Sequence, residues 1–255
     1  MTKSDWDYRG LAAECYDLWF PREPYWDQEF FFERIRENQG IALEVASGTG
    51  RLLLPYLRDG LEVEGVDSSE EMLAICRRKA EDANLRPVLY RQLMQELDLP
   101  RKYRTIFIPN GSFQILAERE EAFEALSRFR CHLEPGGELL IAVSVPWRDF
   151  PHQGQWRLRR SGTRPSDGAS VLIHECTQSD LVEQVQDQWL RFEIFRDGDL
   201  VQSILRTHRL RWYHKHELSL MLERVGFSEI SVRLGMGTEP PDAVHDAELI
   251  FSARA

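Results

Sequence analysis

Long apolar runs are absent from this chain. No stretch approaches the roughly 20 residues that a helix needs to cross a bilayer, and Met1–Asp7 has no apolar core of the signal-peptide kind. A cytoplasmic protein with no membrane partner is expected. Cysteine is scarce. The four residues, Cys15, Cys76, Cys131 and Cys176, stand far apart with no C-x-x-C pair and no Cys/His ligand spacing. That pattern excludes a disulfide framework and a structural zinc site, and leaves reduced thiols. His214 and His216 cannot share a helix face, so no metal site is expected there either. Positive charge is also in deficit: a net charge of −10 removes the basic surface on which nonspecific nucleic-acid binding relies. Internal repeats and low-complexity segments are missing.

What is present is the pattern of an α/β protein. A length of 255 residues suits one large α/β domain or a domain carrying a sizeable insertion. Ile41–Val45, apolar except for Glu44, reads as a buried strand. It breaks into Ala46, Ser47, Gly48, Thr49 and Gly50, and Arg51 to Leu54 then reads as a helix start. Strand, turn and helix in this order build a ligand crevice at the carboxyl end of an open sheet. Small residues there admit a ligand against the main chain, and the helix start adds free N–H groups to the rim. Two nucleotide fingerprints fail at this turn. G-x-G-x-x-G needs a glycine where Leu53 stands, and a P-loop needs G-K-[ST] where Gly50 is followed by Arg51 and Leu52.

Leu61–Asp67 alternates as a second strand and ends in an acid 17 residues beyond Gly50. A carboxylate at that tip is placed to accept hydrogen bonds from a ribose diol; a helix-start acid favoured by the helix dipole is the competing reading. Ser68 and Glu71 predict a capping box opening the next helix, which carries Met72, Leu73, Ile75, Cys76 and Ala80 as its buried stripe. The pattern also predicts an amphipathic helix over residues 5–20 and a second helix near Tyr25–Glu37. Strands are expected near Val88–Tyr90 and Arg104–Ile108, the first followed by Leu93, Met94 and Gln95 and the second by Pro109 and Asn110. A helix over Glu118–His132 is expected to stop at Pro135-Gly136-Gly137, before an apolar strand. A helix near His214–Val225 and a closing antiparallel pair, Ile230–Leu234 and Glu248–Ala253, complete the pattern, with Gly235–Asp246 as the loop between them.

Glu44, Gly48 and Gly50, with Ala46 in place of a first glycine, resemble motif I, [DE]-x-G-x-G-x-G, of the class I S-adenosylmethionine-dependent methyltransferases. Asp67 resembles the second signature acid of that family, Pro109-Asn110 stands where its motif IV stands, and Pro-Gly-Gly is a further marker. The resemblance covers residues 8–145 and 212–255 and looks closest to small-molecule N- or O-methyltransferases, amino-sugar N-methyltransferases among them. It implies a Rossmann-like fold with a seven-stranded, mostly parallel sheet. It also implies S-adenosylmethionine as donor, S-adenosylhomocysteine as product, and no metal. The cofactor-binding residues it implies are Glu44, Ala46, Ser47, Gly48, Gly50, Arg51, Asp67, Ser68, Met72, Met94, Gln95, Pro109 and Asn110. Leu93 departs from the family, which often carries an adenine-binding acid there, so Met94 and Gln95 take over that role. Tyr16-Asp17 resembles a Tyr-Asp element whose tyrosine lies over the reactive end of the cofactor; a tyrosine at the edge of the core is the plainer reading.

Residues 147–211 break the strand–helix alternation and read as an antiparallel β insertion, with a hairpin turn at Arg196–Asp199. The expected organisation is N-terminal helices over 1–38 covering the site, a core of 39–146 and 212–255, and the insertion as an acceptor lid. Residues 147–212 hold ten arginines, no lysine and nine acids, and Arg157, Arg159, Arg160 and Arg164 are the densest group. They read either as a site for an anionic acceptor or as a solvated sheet face paired with nearby acids. The expected reaction is in-line methyl transfer to an amine or hydroxyl of a small molecule. A hydroxyl acceptor requires a base, for which Tyr16 and His208 are the candidates; a structural role for His208 competes with that reading. A catalytically silent cofactor-binding scaffold is the alternative, and a nucleotide-dependent oxidoreductase is disfavoured by the missing third glycine.

Overall fold

The computed structural model describes residues 8–20, 23–25, 27–146, 152–164, 166–235 and 248–255. Their strands form two sheets. The main sheet comprises β1 (Ala42–Val45), β2 (Val63–Asp67), β3 (Val88–Arg91), β4 (Tyr103–Ile108), β5 (Leu133–Ser144), β10 (Ser228–Leu234) and β11 (Glu248–Arg254). Its seven strands run in the order β10-β11-β5-β4-β1-β2-β3. Strands β1 to β5 pair in parallel, and β11 lies antiparallel to both β5 and β10. This is the expected Rossmann-like sheet with its closing hairpin. The strand order reverses between β1 and β4, which opens a crevice at their carboxyl ends.

Strand β1 is buried on both faces because helices cover both sides of the sheet. Leu43 and Val45 point to the side of α5 (Arg119–His132) and α6 (Lys215–Val225). Ala42 points to the side of α2 (Gln28–Asn38) and α3 (Leu53–Arg58), where Phe31, Leu53, Tyr56 and Phe107 pack together. Each fully buried leucine or phenylalanine here contributes about 1.5–3 kcal/mol. Helix α2 thus belongs to the core layer, and among the described residues of 1–38 it is the segment from Tyr8 to Phe20 that reaches over the crevice.

Several local expectations shift. The helix expected over residues 5–20 is α1 (Leu11–Glu14) followed by a 3-10 turn over Tyr16–Trp19, with Leu18 N–H donating to Cys15 O; residues 5–7 lie outside the described residues, as does the expected loop 236–246. Helix α3 begins at Leu53, two residues later than expected, with Pro55 in its first turn, where a missing N–H does no harm. Helix α4 (Glu70–Asp82) is capped by Ser69, whose Oγ accepts from Met72 N–H at 3.3 Å. The Ser68/Glu71 box does not form, because the Glu71 carboxylate accepts instead from Gly10 N–H. Pro135-Gly136-Gly137 does not stop α5. It forms a bulge inside β5, between the pairs Tyr103–Leu133 and Thr105–Glu138.

The second sheet comprises β6 (Arg157–Thr163), β7 (Ser170–Asp180), β8 (Val185–Arg196) and β9 (Asp199–Arg211), all antiparallel. The turn at Asp197 (φ +50°) and Gly198 (φ +91°) has the two left-handed residues that a tight hairpin requires. One face of this sheet, with Val171, Ile173, Leu190, Phe192 and Ile194, packs on Leu11, Ala12 and Cys15. The insertion and the N-terminal segment therefore share a core of their own, beside the crevice.

Candidate active site

At the end of β1 the backbone turns through Ala46 (φ +58°), Gly48 (φ +55°) and Gly50 (φ +82°). Gly48 faces the crevice: a Cβ there would lie 3.2 Å from Met72 Cε and 4.0 Å from Tyr16 Cε1. Its N–H donates to Asp67 Oδ2 at 2.8 Å, and Ser69 N–H donates to Asp67 Oδ1 at 2.8 Å. The acid at the tip of β2 thus ties the two strand-end loops together and carries its negative charge on the crevice wall. Gly50 faces the other way, where a Cβ would meet Cys76 Sγ at 2.6 Å and Leu54 Cγ at 2.8 Å. Glycine is required there by packing.

The crevice is a cleft of about 430 Å³. Of the predicted residues, Ala46, Gly48, Asp67, Ser68, Met72, Met94, Gln95 and Asn110 line it, together with Tyr16 and His208. Leu93, at the departure from the family pattern, lines it beside Gln92. Five predicted residues do not line it. Glu44 is buried below the turn; burial pushes its carboxyl up to about 8, against the pull of Arg51, and its Oε2 has no hydrogen-bond partner. Ser47 is buried with its N–H on Val66 O, Gly50 packs on α4, and Pro109 is buried at the end of β4. Arg51 turns away altogether. Its guanidinium forms a buried two-pronged ion pair with Asp27 and lies 4.7 Å from the Phe20 ring centroid and 5.2 Å from that of Tyr25.

That ion pair is one of several ties on the N-terminal segment. Thr49 Oγ1 donates to Asp17 Oδ1 at 2.7 Å, Lys79 Nζ lies 2.6 Å from Asp17 Oδ2, and Ser69 Oγ donates to Tyr8 O at 2.6 Å. Held this way, Tyr8 and Tyr16 meet edge to face at 5.3 Å and roof the cleft. Burial raises both phenols, Tyr8 to about 12 and Tyr16 further. Both are donors at neutral pH, which disfavours Tyr16 as a base.

The second sheet supplies the opposite wall through Gln188, His208, Arg209 and Leu210. His208 contacts the Tyr8 ring at 5.6 Å. Burial, with Arg206 nearby, lowers its imidazole to about 4, so it is neutral at pH 7 and too weak to serve as a strong base. The dense arginines are engaged elsewhere. Arg159 Nε lies 3.0 Å and Arg157 Nη2 3.8 Å from Glu175 Oε2, Arg160 stacks 5.1 Å over Trp19, and Arg164 pairs with Asp167. Arg148 lies outside the described residues. Gln188 and Gln114 are cleft residues that sequence reasoning missed. Gln188 sits in an alternating strand with no motif around it, whereas Gln114 follows Pro109-Asn110 within the loop singled out for motif IV.

A ledge at Gly48 that a Cβ would obstruct, a carboxylate at the β2 tip and a buried, half-partnered Glu44 beneath the turn fit a nucleoside bearing an amino-acid tail. The comparisons agree. The family model for the methyltransferase domain matches residues 42–137. The dTDP-3-amino-3,6-dideoxy-alpha-D-glucopyranose N,N-dimethyltransferase of Streptomyces fradiae is 34% identical over 173 residues, which span 65% of this chain and 64% of that enzyme, a little under two thirds of its length. The structure of the CcbJ methyltransferase from Streptomyces caelestis superposes with a TM-score of 0.73 at 25% identity, covering 91% of this chain and 90% of that one. An S-adenosylmethionine-dependent methyltransferase from Clostridium acetobutylicum ATCC 824 shares the fold at a TM-score of 0.77 and 18% identity, covering 95% and 96%. With motif I, the strand-tip acid and the seven-stranded sheet already in place, residues 42–137 match the methyltransferase domain, and the chain is similar in sequence and fold to S-adenosylmethionine-dependent methyltransferases.

Proposed function

We propose that this methyltransferase acts on a neutral amine of a sugar-like small molecule, with the acceptor held between the main sheet and the lid sheet. Bound S-adenosylmethionine supplies an electrophilic methyl group on a sulfonium. On this reading Asp67 accepts the ribose hydroxyls, Gly48 admits the methionine end, and Met94 and Gln95 hold the adenine. Tyr8 and Tyr16 exclude water from above, which aligns the acceptor and strengthens polar contacts within the cleft.

The choice of amine over hydroxyl is favoured by the burial of the two candidate bases and by the amino-sugar relative. Tyr16 keeps its proton far above neutral pH, and His208 at about 4 is too weak to take one from a hydroxyl. A free amine needs neither. A neutral imidazole can accept a hydrogen bond from the amine N–H and so turn the nitrogen lone pair toward the donor. The amino-sugar specificity of the Streptomyces fradiae relative supports the same acceptor class. An anionic acceptor gains less support, because Arg157 and Arg159 already neutralise Glu175. The reading of these arginines as sheet-face charge is favoured.

The test uses methyl-labelled S-adenosylmethionine with free and nucleotide-linked amino sugars, simple amines and phenols. Label is expected in the amino sugars, with a rate that rises with pH until the acceptor amine is deprotonated. Transfer to phenols alone, or to nothing, would overturn the proposal.

A further inference from the structure

The lid chain leaves the main sheet after Ser144 and rejoins it after Arg211. Both points meet at one side chain. Gln114 is only 5% exposed and lies in the 3-10 turn Ser112–Ile115 that follows β4. Its Nε2 donates to Ser144 O at 2.8 Å and to Arg211 O at 3.1 Å. Its Oε1 accepts from Ser144 N–H at 2.7 Å and from Ser144 Oγ at 3.3 Å. A carboxamide has two N–H donors and two acceptor sites, so its capacity is filled. Reversing the amide would set an N–H against an N–H, which fixes its orientation. The turn also keeps space for it: Gly111 has φ +71°, and a Cβ there would lie 2.9 Å from Gln114 Oε1. Neighbouring ties run the same way, from Arg211 Nε to Ala117 O at 2.7 Å and from the Tyr213 hydroxyl to Leu116 O at 3.1 Å. His208, which faces the cleft, lies three residues before Arg211 in β9.

We propose that Gln114 is a positioning residue for methyl transfer: by clamping the exit and return of the lid to the loop after β4, it sets the acceptor wall at its working distance from the donor. This rests on the proposed acceptor site. The chemistry favours glutamine because the clamp must both donate and accept. An apolar side chain would leave main-chain groups at Ser144 and Arg211 without partners, and a carboxylate would turn negative charge on two carbonyls. The donor contacts at Gly48 and Asp67 do not run through Gln114, so donor and acceptor terms should separate when it is changed.

Gln114→Met removes the clamp, and Gly111→Ala crowds the carboxamide without removing it, which gives a second variant if the first fails to fold. For either, acceptor kcat/KM should fall about ten- to a hundredfold, the scale expected for misplacement of about 1 Å. Donor affinity by calorimetry should fall by much less than acceptor kcat/KM, because the Gly48 and Asp67 contacts are kept, and amide exchange across residues 202–211 should quicken. Unchanged acceptor kinetics, or donor affinity falling in step with them, would overturn the positioning role. If the wild-type protein methylates no acceptor offered, the proposed function fails on its own account. Amide exchange, which needs no acceptor, then decides for Gln114, and unaltered exchange in both variants would refute the clamp.

Discussion

Replacing Asp67 separates two duties that one carboxylate performs. In the free protein it accepts from Gly48 and Ser69 N–H groups at 2.8 Å each. Hydrogen bonds to a charged group are worth about 1.5–3 kcal/mol, but this residue is only partly buried and water can replace part of the loss. Asp67→Ala should therefore cost about 1–3 kcal/mol of stability, or roughly 3–10 °C in Tm for a chain of this size. Beyond that, loss of the ribose contacts should weaken S-adenosylhomocysteine binding about ten- to a hundredfold, equivalent to about 1.5–3 kcal/mol. Asp67→Asn keeps one acceptor oxygen and should fall between wild type and Ala on both scales. Thermal unfolding without ligand measures the first duty, and calorimetric titration at a temperature where all variants are folded measures the second. If Tm falls while affinity is unchanged, Asp67 is a loop staple only and the ribose assignment is wrong.

Three further outcomes are expected. Gly48→Val places a branched Cβ at φ +55° on the cleft wall; it should weaken donor binding by about tenfold or more at a stability cost of about 1–2 kcal/mol, and normal donor affinity would move the site. Glu44 is raised from its ordinary 4.5 to about 8, so it is protonated in the free protein at pH 7. A cationic ligand tail nearby should expel that proton, and affinity should then rise with pH toward 8; calorimetry in buffers of different ionisation enthalpy should detect proton release, lost in Glu44→Gln. His208 is lowered from 6.5 to about 4, so between those values the unfolded chain binds more protons than the native protein. Stability should therefore fall as pH drops through that window, by at most about 3 kcal/mol, and His208→Gln should flatten the slope measured by urea unfolding.

Much of the main sheet was legible because buried parallel strands are short apolar runs, as β1 and β4 are, and β2 shows the alternation of a strand. The turn at Ala46–Gly50 and the acid Asp67 were legible for the same reason, since their backbone conformation and spacing are local properties. What was hidden depends on long-range pairing. Arg51 reads as a rim residue until Asp27, 24 positions earlier, is brought against it in the buried core. Ser68 reads as the cap on paper, yet Ser69 takes that place, and Gly10 N–H claims Glu71, the expected partner of Ser68. The arginines of β6 look like one cationic cluster along the chain, yet strand pairing sets Arg157 and Arg159 beside Glu175. Gln188 enters the cleft only through the register of β8 against β9, where it pairs with His208.

The central claim is that one cleft holds the donor on the β1 and β2 tips and presents it to the lid sheet. A crystal structure of the protein with S-adenosylhomocysteine tests this most directly. The ribose hydroxyls are expected on Asp67, the amino-acid tail against Gly48 beneath Tyr16, the adenine beside Met94 and Gln95, and the sulfur facing His208. A ligand bound elsewhere, or bound in the cleft with Asp67 unengaged and the sulfur turned from the lid, would contradict it.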